Sequence, residues 1–316
     1  MRFELPTQVK QSLAARGVRL HHLLWHIVRD NWHDFSEAER NTLRQQHPRW
    51  VPNHARFVGS GGAAQINPDA GESFLYMHRQ MITSVNVQLA AAGLPAVMPW
   101  LSVPGLNDPD YPVPGRRPSG PADDPKSDAM LATLQERAAA VTDPEVLRQN
   151  PLALIGAYVE SMVHDFLHMR FAAISPGVMA SFPVTGPTNV TPNIPAEFDA
   201  PEADWLGHPW SSHVNSDFWK LHGWIDQVVE AWRVARGLDR ITWTDTWEGD
   251  VPADGHGGHA LGMVALTRAF EHPGHHHQPS GELQTVLRTV TGFKTCHIGF
   301  DYVAKHNMAA PRLTGL

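Results

Sequence analysis

Apolar residues recur along most of the chain every three to four positions, the spacing that places them on one face of an α-helix. Segments with the two-residue alternation of a half-buried strand are few. The helical segments predicted from this spacing are 5–50, 72–93, 127–142, 144–149, 151–174 and 216–237. A mainly α fold, a helical bundle, is therefore expected.

Several helix ends are marked by their residue types. Ser36 with Glu39 three positions later forms a capping-box pattern, so a helix is expected to begin there. Gly93 and Gly237 follow helical segments at the position where a glycine commonly ends a helix. The connecting stretches are rich in Pro, Gly and polar residues, and the loops predicted from them are 59–71, 99–128 and 175–205.

The 316 residues are interpreted as one domain, 1–316. Its helical core is expected over about 5–237, and the histidine-rich extension 238–316 is expected to pack on that core. The stretch "FKTCHIGFDYVAKHN" near the end of the chain has a composition that is compatible with a strand.

Composition limits the classes of partner. The net charge is −7, which argues against nucleic acid or an anionic membrane as the main partner. Neither a secretory signal nor an apolar run long enough to span a bilayer is found. Cys296 is the sole cysteine, so no intrachain disulfide is expected. A cytoplasmic protein is the resulting expectation.

The chain contains 20 histidines, and their spacing points to a metal site. Residues four apart on a helix lie one turn apart on the same side, so both members of such a pair can reach one metal ion. Two such pairs occur in the predicted helical segments, and a single histidine on a further helix follows each pair. The two resulting sets are His22, His26 and His78, and His164, His168 and His222. Each set is a candidate three-nitrogen metal site.

Nitrogen ligands in both sets favour copper, zinc or nickel over calcium or magnesium. A single pair on a half-buried helix is more often incidental, and the occurrence of two similar sets makes that interpretation weaker. Some ligand assignments remain open. His213 is an alternative to His222, and His21, His47 or His54 could replace a member of the first set.

Four segments, taken in order, resemble the metal-binding segments of type-3 copper proteins, the family of tyrosinases, catechol oxidases, hemocyanins and prophenoloxidases. They are "HHLLWHIV", "GESFLYMHRQMITSVNVQLAAAGLPAVMPW", "HDFLH" and "SDFWKLHGWIDQVVEAW". The resemblance covers about residues 20–230, and the spacing of the first set is that of hemocyanins. The connection between His168 and His222 is longer than is usual in the family, which indicates an insertion. His222 is preferred to His213 because Asp226 follows it at i+4, as in the family.

The resemblance implies two copper ions, each held by three imidazoles. It also gives Asp165 a candidate catalytic role, because tyrosinases often carry an asparagine there that helps to deprotonate an incoming phenol. Glu160, one turn before His164, is a second candidate. The alternative is that Asp165 only holds a ligand ring or faces solvent. Asp226 is further expected to pair with Arg79, next to His78, and so to help to fix the ligand rings.

The function expected from these features is that of a tyrosinase-like dicopper oxidase. It would use O2 to hydroxylate phenols or to oxidise o-diphenols or o-aminophenols, and a copper donor is a further expected partner. The alternatives are an O2 carrier of the hemocyanin kind, against which the chain length argues, and a mononuclear zinc protein. The histidine run 272–277, with His256 and His259, is interpreted as an exposed loop, and copper acceptance or a lid are the alternatives.

Overall fold

The computed structural model describes part of the chain, and this part is mainly helical, as the sequence predicts. The described residues are 3–59, 64–173, 187–188, 194–249, 281–293, 296–297 and 311–315. The histidine run 272–277, His256, His259 and most of the predicted loop 175–205 lie outside them. Within the described residues, no helix is both long and apolar enough to cross a bilayer.

The helices follow the predicted segments closely. They are α1 (Thr7–Leu13), α2 (Arg16–Asn31), α3 (Glu37–Gln46), α4 (Gly71–Ala91), α5 (Asp128–Ala140), α6 (Pro144–Gln149), α7 (Leu152–Val159), α8 (Asp165–Phe171), α9 (Ser216–Ala235) and α10 (Gly281–Phe293). The capping box at Ser36 and Glu39 is present at the start of α3. Gly93 and Gly237 adopt positive φ angles of 71° and 65° just beyond α4 and α9, which confirms both predicted helix ends.

Strands are short in the described part of the chain. They form two antiparallel pairs of two-residue strands: β1 (Phe57–Val58) with β2 (Gln65–Ile66), and β3 (Pro187–Thr188) with β4 (Cys296–His297). β4 falls within the predicted strand near the end of the chain, and the rest of that segment lies mostly outside the described residues.

The predicted helix 151–174 contains a local irregularity that the sequence did not indicate. Residues Glu160–His164 form a π-helical turn that joins α7 to α8. A π turn accommodates one extra residue and therefore changes the face on which the following side chains lie. Such turns are frequent at functional sites, and this one ends at a histidine of the second predicted set.

The bundle is organised around α4, which packs against α7 and α9. The contact with α7 is a close approach of two backbones at Gly71 and Gly156. A Cβ atom on Gly71 would lie 2.0 Å from the carbonyl oxygen of Ala153, and one on Gly156 would lie 2.2 Å from the carbonyl oxygen of Gly71. Only glycine fits at both positions. This contact fixes the distance between the helix that carries His78 and the segment that carries His164.

The described parts of the C-terminal region also contact the bundle. α10 packs against α2, and its side chains Val286, Leu287 and Val290 are buried. Near the end of the chain, the amide of Thr314 donates a hydrogen bond to the side chain of Asn150.

Replacement of Gly156 by alanine is expected to lower the free energy of unfolding by about 3 kcal/mol, because the added methyl group overlaps the backbone of Gly71. Urea denaturation measures this change. Gly105→Ala is the matched control, since a Cβ at Gly105 has no neighbour within 4 Å. Equal stability of the two variants would contradict the close approach of α4 and α7.

Candidate metal centre

The structure brings all six predicted histidines together in the middle of the bundle. Two groups within them could hold a metal ion, because their ligand atoms lie within 4.8 Å of one another: His22, His26 and His78, and His78, His164 and His222. The rings of His164 and His168 are 4.3 Å apart, so His168 adjoins the second group. The histidines come from α2, α4, the π turn with α8, and α9.

His78 lies between the two sets. Its ring stacks on that of His222 with centroids 4.4 Å apart, and it lies 5.7 Å from that of His164. The same ring lies 6.2 Å from those of both His22 and His26. The two predicted sets therefore form one continuous cluster, with α4 between the other helices.

Five of the six rings are fixed by a hydrogen bond from their Nδ1 atom. Since carbonyl and carboxylate oxygens only accept, Nδ1 carries the proton and Nε2 carries the lone pair. The acceptors are Pro209 O for His22 (2.7 Å), Phe74 O for His78 (2.8 Å), Asp165 Oδ1 for His164 (2.9 Å), Leu206 O for His168 (2.7 Å) and Phe218 O for His222 (2.7 Å). Nδ1 of His26 faces a carboxylate oxygen of Asp30 at 3.5 Å. This tautomer presents Nε2 as the metal ligand.

The Nε2 atoms have the surroundings of metal ligands. Those of His22, His78 and His168 are buried without a hydrogen-bonding partner among the described residues. Those of His164 and His222 face each other at 3.1 Å. Buried polar atoms without partners are costly, and two facing lone pairs repel unless a cation lies between them. The donor set therefore fits a bound metal ion.

Burial also keeps these rings neutral, as metal binding requires. It lowers the pKa of His22, His78, His164 and His222 well below 6.5, and neighbouring histidines lower it further. For the half-buried His168, burial lowers the pKa to about 4. Protons therefore compete weakly for these nitrogens near neutral pH.

A buried network of charges connects the two sets of histidines. Arg56 pairs with Asp30 (3.3 Å) and Glu160 (3.2 Å), and also with Asp165. Arg29 donates two hydrogen bonds to Glu160, of 2.6 and 2.9 Å. Burial lowers the pKa of Arg56, but the surrounding carboxylates raise it by more, so the guanidinium stays charged. Asp30 faces His26 of the first set and Asp165 holds His164 of the second.

The two candidate catalytic carboxylates occupy different positions. Asp165 lines the cavity beside the histidines, with one oxygen accepting from His164 and the other paired with Arg56. Glu160 is 2 % exposed, and its contacts are the guanidinium groups of Arg29 and Arg56. It is not among the residues that line the cavity. The contacts of Glu160 are those of a structural carboxylate.

Among the described residues, the groups that could hold a metal ion do not include the alternative histidines. His213 is buried, and its Nδ1 lies 3.0 Å from Nδ1 of His22, while its Nε2 donates to the carbonyl of Leu13. That tautomer lets His213 accept from His22, which makes it a support for a ligand ring. His222, not His213, lies beside His164. Three more histidines that were candidates for the first set do not line the cavity: His21, His47 and His54.

The predicted pair of Arg79 and Asp226 is present, with Nε and Oδ1 2.6 Å apart. It joins α4 to α9, and Glu230 contacts the same guanidinium. The rings of His78 and His222 are held separately by backbone carbonyls of their own helices. The ion pair therefore acts on the helices that carry the rings, rather than on the rings themselves.

A cavity of about 470 Å³, including its opening, adjoins the cluster. Five of the six histidines line it, and His222 lies against Phe218, whose ring stacks on it at 3.7 Å. The other lining residues are Asp30, Arg56, Asp165, Met169, Leu206, Gly207, His208, Pro209, Ser212 and Phe218. The wall is thus charged on one side and mainly apolar on the other.

Sequence reasoning missed several residues of this site. Asp30 carried a signal, since it follows His26 at i+4 and could have been recognised as a ring acceptor. Arg56 carried none, because it comes from a loop and its role depends on tertiary contacts. The segment 206–209 was part of the predicted insertion, and no sequence pattern shows that its carbonyl oxygens hold ligand rings.

Comparison with known proteins adds no assignment. No protein-family model matches the chain. No curated protein matches its sequence either. The interpretation of the site therefore rests on its own geometry.

The metal-free protein is expected to lose stability as the pH falls from 6.5 to about 4. Over this range the unfolded chain protonates its histidines, while the buried rings remain neutral, so acidification favours unfolding. Each such histidine contributes a slope of up to about 1.4 kcal/mol per pH unit. Urea denaturation of chelator-treated protein at several pH values measures the slope.

His168→Gln is expected to reduce this slope by up to one proton equivalent, because it removes a ring whose pKa is about 4. His54→Gln is the matched control, since His54 is exposed on a loop. A stability that does not change between pH 6.5 and 4 would contradict the neutral cluster.

Proposed function

We propose that the chain is a type-3 dicopper oxidase that acts on phenols, o-diphenols or o-aminophenols. The observation that supports this most strongly is the convergence of six imidazoles from α2, α4, α8 with its π turn, and α9. Five have Nδ1 hydrogen-bonded to an acceptor, and Nδ1 of the sixth faces a carboxylate. The resemblance of four short segments to those of type-3 copper proteins is a further reason for this proposal.

The ligand chemistry supports copper over harder metals. Imidazole nitrogens suit copper and zinc, whereas calcium and magnesium take oxygen ligands. The first ion would be held by His22, His26 and His78, and the second by His164, His168 and His222. Two copper ions, when bound, would supply O2 binding and electron transfer. The neighbouring carboxylates are paired with arginines, so the unpaired imidazole nitrogens are the more available ligands around the cavity.

The cavity suits a small aromatic substrate. Its lining combines apolar side chains with a few polar and charged groups, as small-molecule sites commonly do. Phe218, Met169 and Leu206 supply apolar surface against which a ring can pack. The charged side, at Arg56 and Asp165, can accept or donate hydrogen bonds to a ring substituent. A phenol, catechol or aminophenol combines these two features.

Asp165 is proposed to have two roles. Its Oδ1 accepts from Nδ1 of His164 and so orients that ring. Its carboxylate also lines the cavity, within reach of an incoming hydroxyl group, and can accept the proton of a monophenol. Arg56 fixes the position of this carboxylate, and Glu160 in turn holds Arg56. Glu160 is therefore proposed to act mainly by positioning Arg56.

Copper-loaded protein is expected to contain two copper ions per chain and to oxidise catechol and 2-aminophenol with uptake of O2. His78→Gln is expected to reduce the turnover rate at least about 100-fold, because His78 adjoins both sets of ligands. Product absorbance and an oxygen electrode measure turnover, and metal analysis measures stoichiometry. His54→Gln is the control and should retain activity.

The rival functions give different results in the same experiment. One tightly bound zinc ion per chain, without oxidation of any substrate, would refute the dicopper proposal. Reversible O2 uptake by the copper-loaded protein, without product, would indicate an O2 carrier instead.

Asp165→Asn separates the two proposed roles of this residue. The amide oxygen can still accept from His164, but it is a much weaker proton acceptor than a carboxylate. Oxidation of catechol is therefore expected to persist, while hydroxylation of 4-methylphenol falls about 100-fold or more. The two initial rates measure the difference. An equal decrease of both rates would mean that Asp165 only positions the ring.

A further inference from the structure

A four-residue segment on the wall of the cavity contacts both sets of histidines. We call Leu206–Pro209 the bridging loop. The carbonyl of Leu206 accepts from Nδ1 of His168 at 2.7 Å, and the carbonyl of Pro209 accepts from Nδ1 of His22 at 2.7 Å. One ring of each set is therefore held by the same short stretch of backbone.

The bridging loop is held rigidly by hydrogen bonds on its C-terminal side. The amides of Ser211 and Ser212 donate to the carbonyl of His208 at 3.0 and 2.8 Å. The amide of Trp210 donates to Nδ1 of the His208 ring at 3.1 Å. Two further bonds anchor the flanks: Ser211 Oγ donates to the Trp205 carbonyl, and Arg19 donates to the Trp210 carbonyl. The two ring-holding carbonyl oxygens thus belong to one stiff unit.

Packing leaves no space for a side chain at position 207 of the bridging loop. A Cβ atom on Gly207 would lie 2.5 Å from two carbon atoms of the Trp205 ring and 3.1 Å from Sδ of Met169. Trp205 is buried, and its indole nitrogen donates to the carbonyl of Ala173. The tryptophan therefore cannot move away easily, and a side chain at position 207 would displace the loop.

We propose that the bridging loop is a shared positioning element that orients one ligand of each metal site, so that a single displacement of the loop weakens both sites together. This inference rests on the two-metal centre proposed above, but not on oxidase chemistry. Acceptors that fix a ligand ring commonly affect metal affinity 10- to 100-fold. Each of the other four rings has a partner that serves only one of the two sets. For His78 and His222 it is a backbone carbonyl of the same helix, and for His164 and His26 it is a carboxylate.

Zinc is the probe of choice for the test, because it binds imidazole and has no redox chemistry. Each site is isolated by removing a ligand from the other: His164→Ala leaves the first site, and His26→Ala leaves the second. The dissociation constant for Zn(II) is then measured in each background by competition with a chromophoric chelator. Gly207→Ala is expected to raise it about 10-fold or more in both backgrounds.

Three further variants serve as controls. Gly105→Ala should leave both constants unchanged, since a Cβ at Gly105 meets no atom within 4 Å. Trp205→Phe removes the ring atoms that Gly207→Ala would strike, so the double variant should recover affinity at both sites. If Gly207→Ala fails to fold, His208→Ala replaces it. That variant removes the acceptor of the Trp210 amide without adding a clash, and a several-fold rise at both sites is expected.

The outcomes distinguish this inference from the proposed function. If Gly207→Ala raises the Zn(II) dissociation constant in one background alone, or in neither, the shared role of the loop is overturned. A parallel rise in both, with recovery in the double variant, supports it, even if the copper-loaded protein oxidises no catechol. Catechol oxidation together with independent responses of the two sites would keep the oxidase proposal and reject the loop.

Discussion

The structure of the site depends on one constraint, the fixing of the histidine rings through their Nδ1 atoms. Once a carbonyl or carboxylate oxygen accepts from Nδ1, the opposite nitrogen must carry the lone pair. The acceptors come from helix backbones, from Asp165 and from Leu206–Pro209, and Asp30 faces the remaining ring. The helices bring the rings together, and these acceptors select the tautomer that can bind a metal ion.

Much of the surrounding structure serves this constraint. The contact of Gly71 with Gly156 fixes the approach of α4 to α7, and so the distance from His78 to the segment that carries His164. The buried arginines neutralise the carboxylates that stand behind the rings. An isolated carboxylate in such an interior would be costly, whereas a paired one can hold a ring in place. The close packing of α4 on α7 and the buried ion pairs therefore both help to position the histidine rings.

The sequence predicted the helices from the spacing of apolar residues, and it singled out the six histidines that the structure brings together. His22 and His26 share a helical face by the i+4 rule, and the resemblance of four short segments connects the sets. The sequence did not predict the π turn at Glu160–His164, because no Pro or Gly within these residues marks it. Nor did it predict Arg56 or the bridging loop, because contacts between segments far apart in the chain leave no periodic signal.

The most direct test of the proposed two-metal site is anomalous X-ray scattering at the copper edge from crystals of the copper-loaded protein. We predict two peaks inside the cluster, one beside His22, His26 and His78 and the other beside His164, His168 and His222, each within about 2.0–2.1 Å of Nε2 atoms, the distance typical of metal–imidazole bonds. A single peak, or copper bound only outside this cluster, would contradict the account.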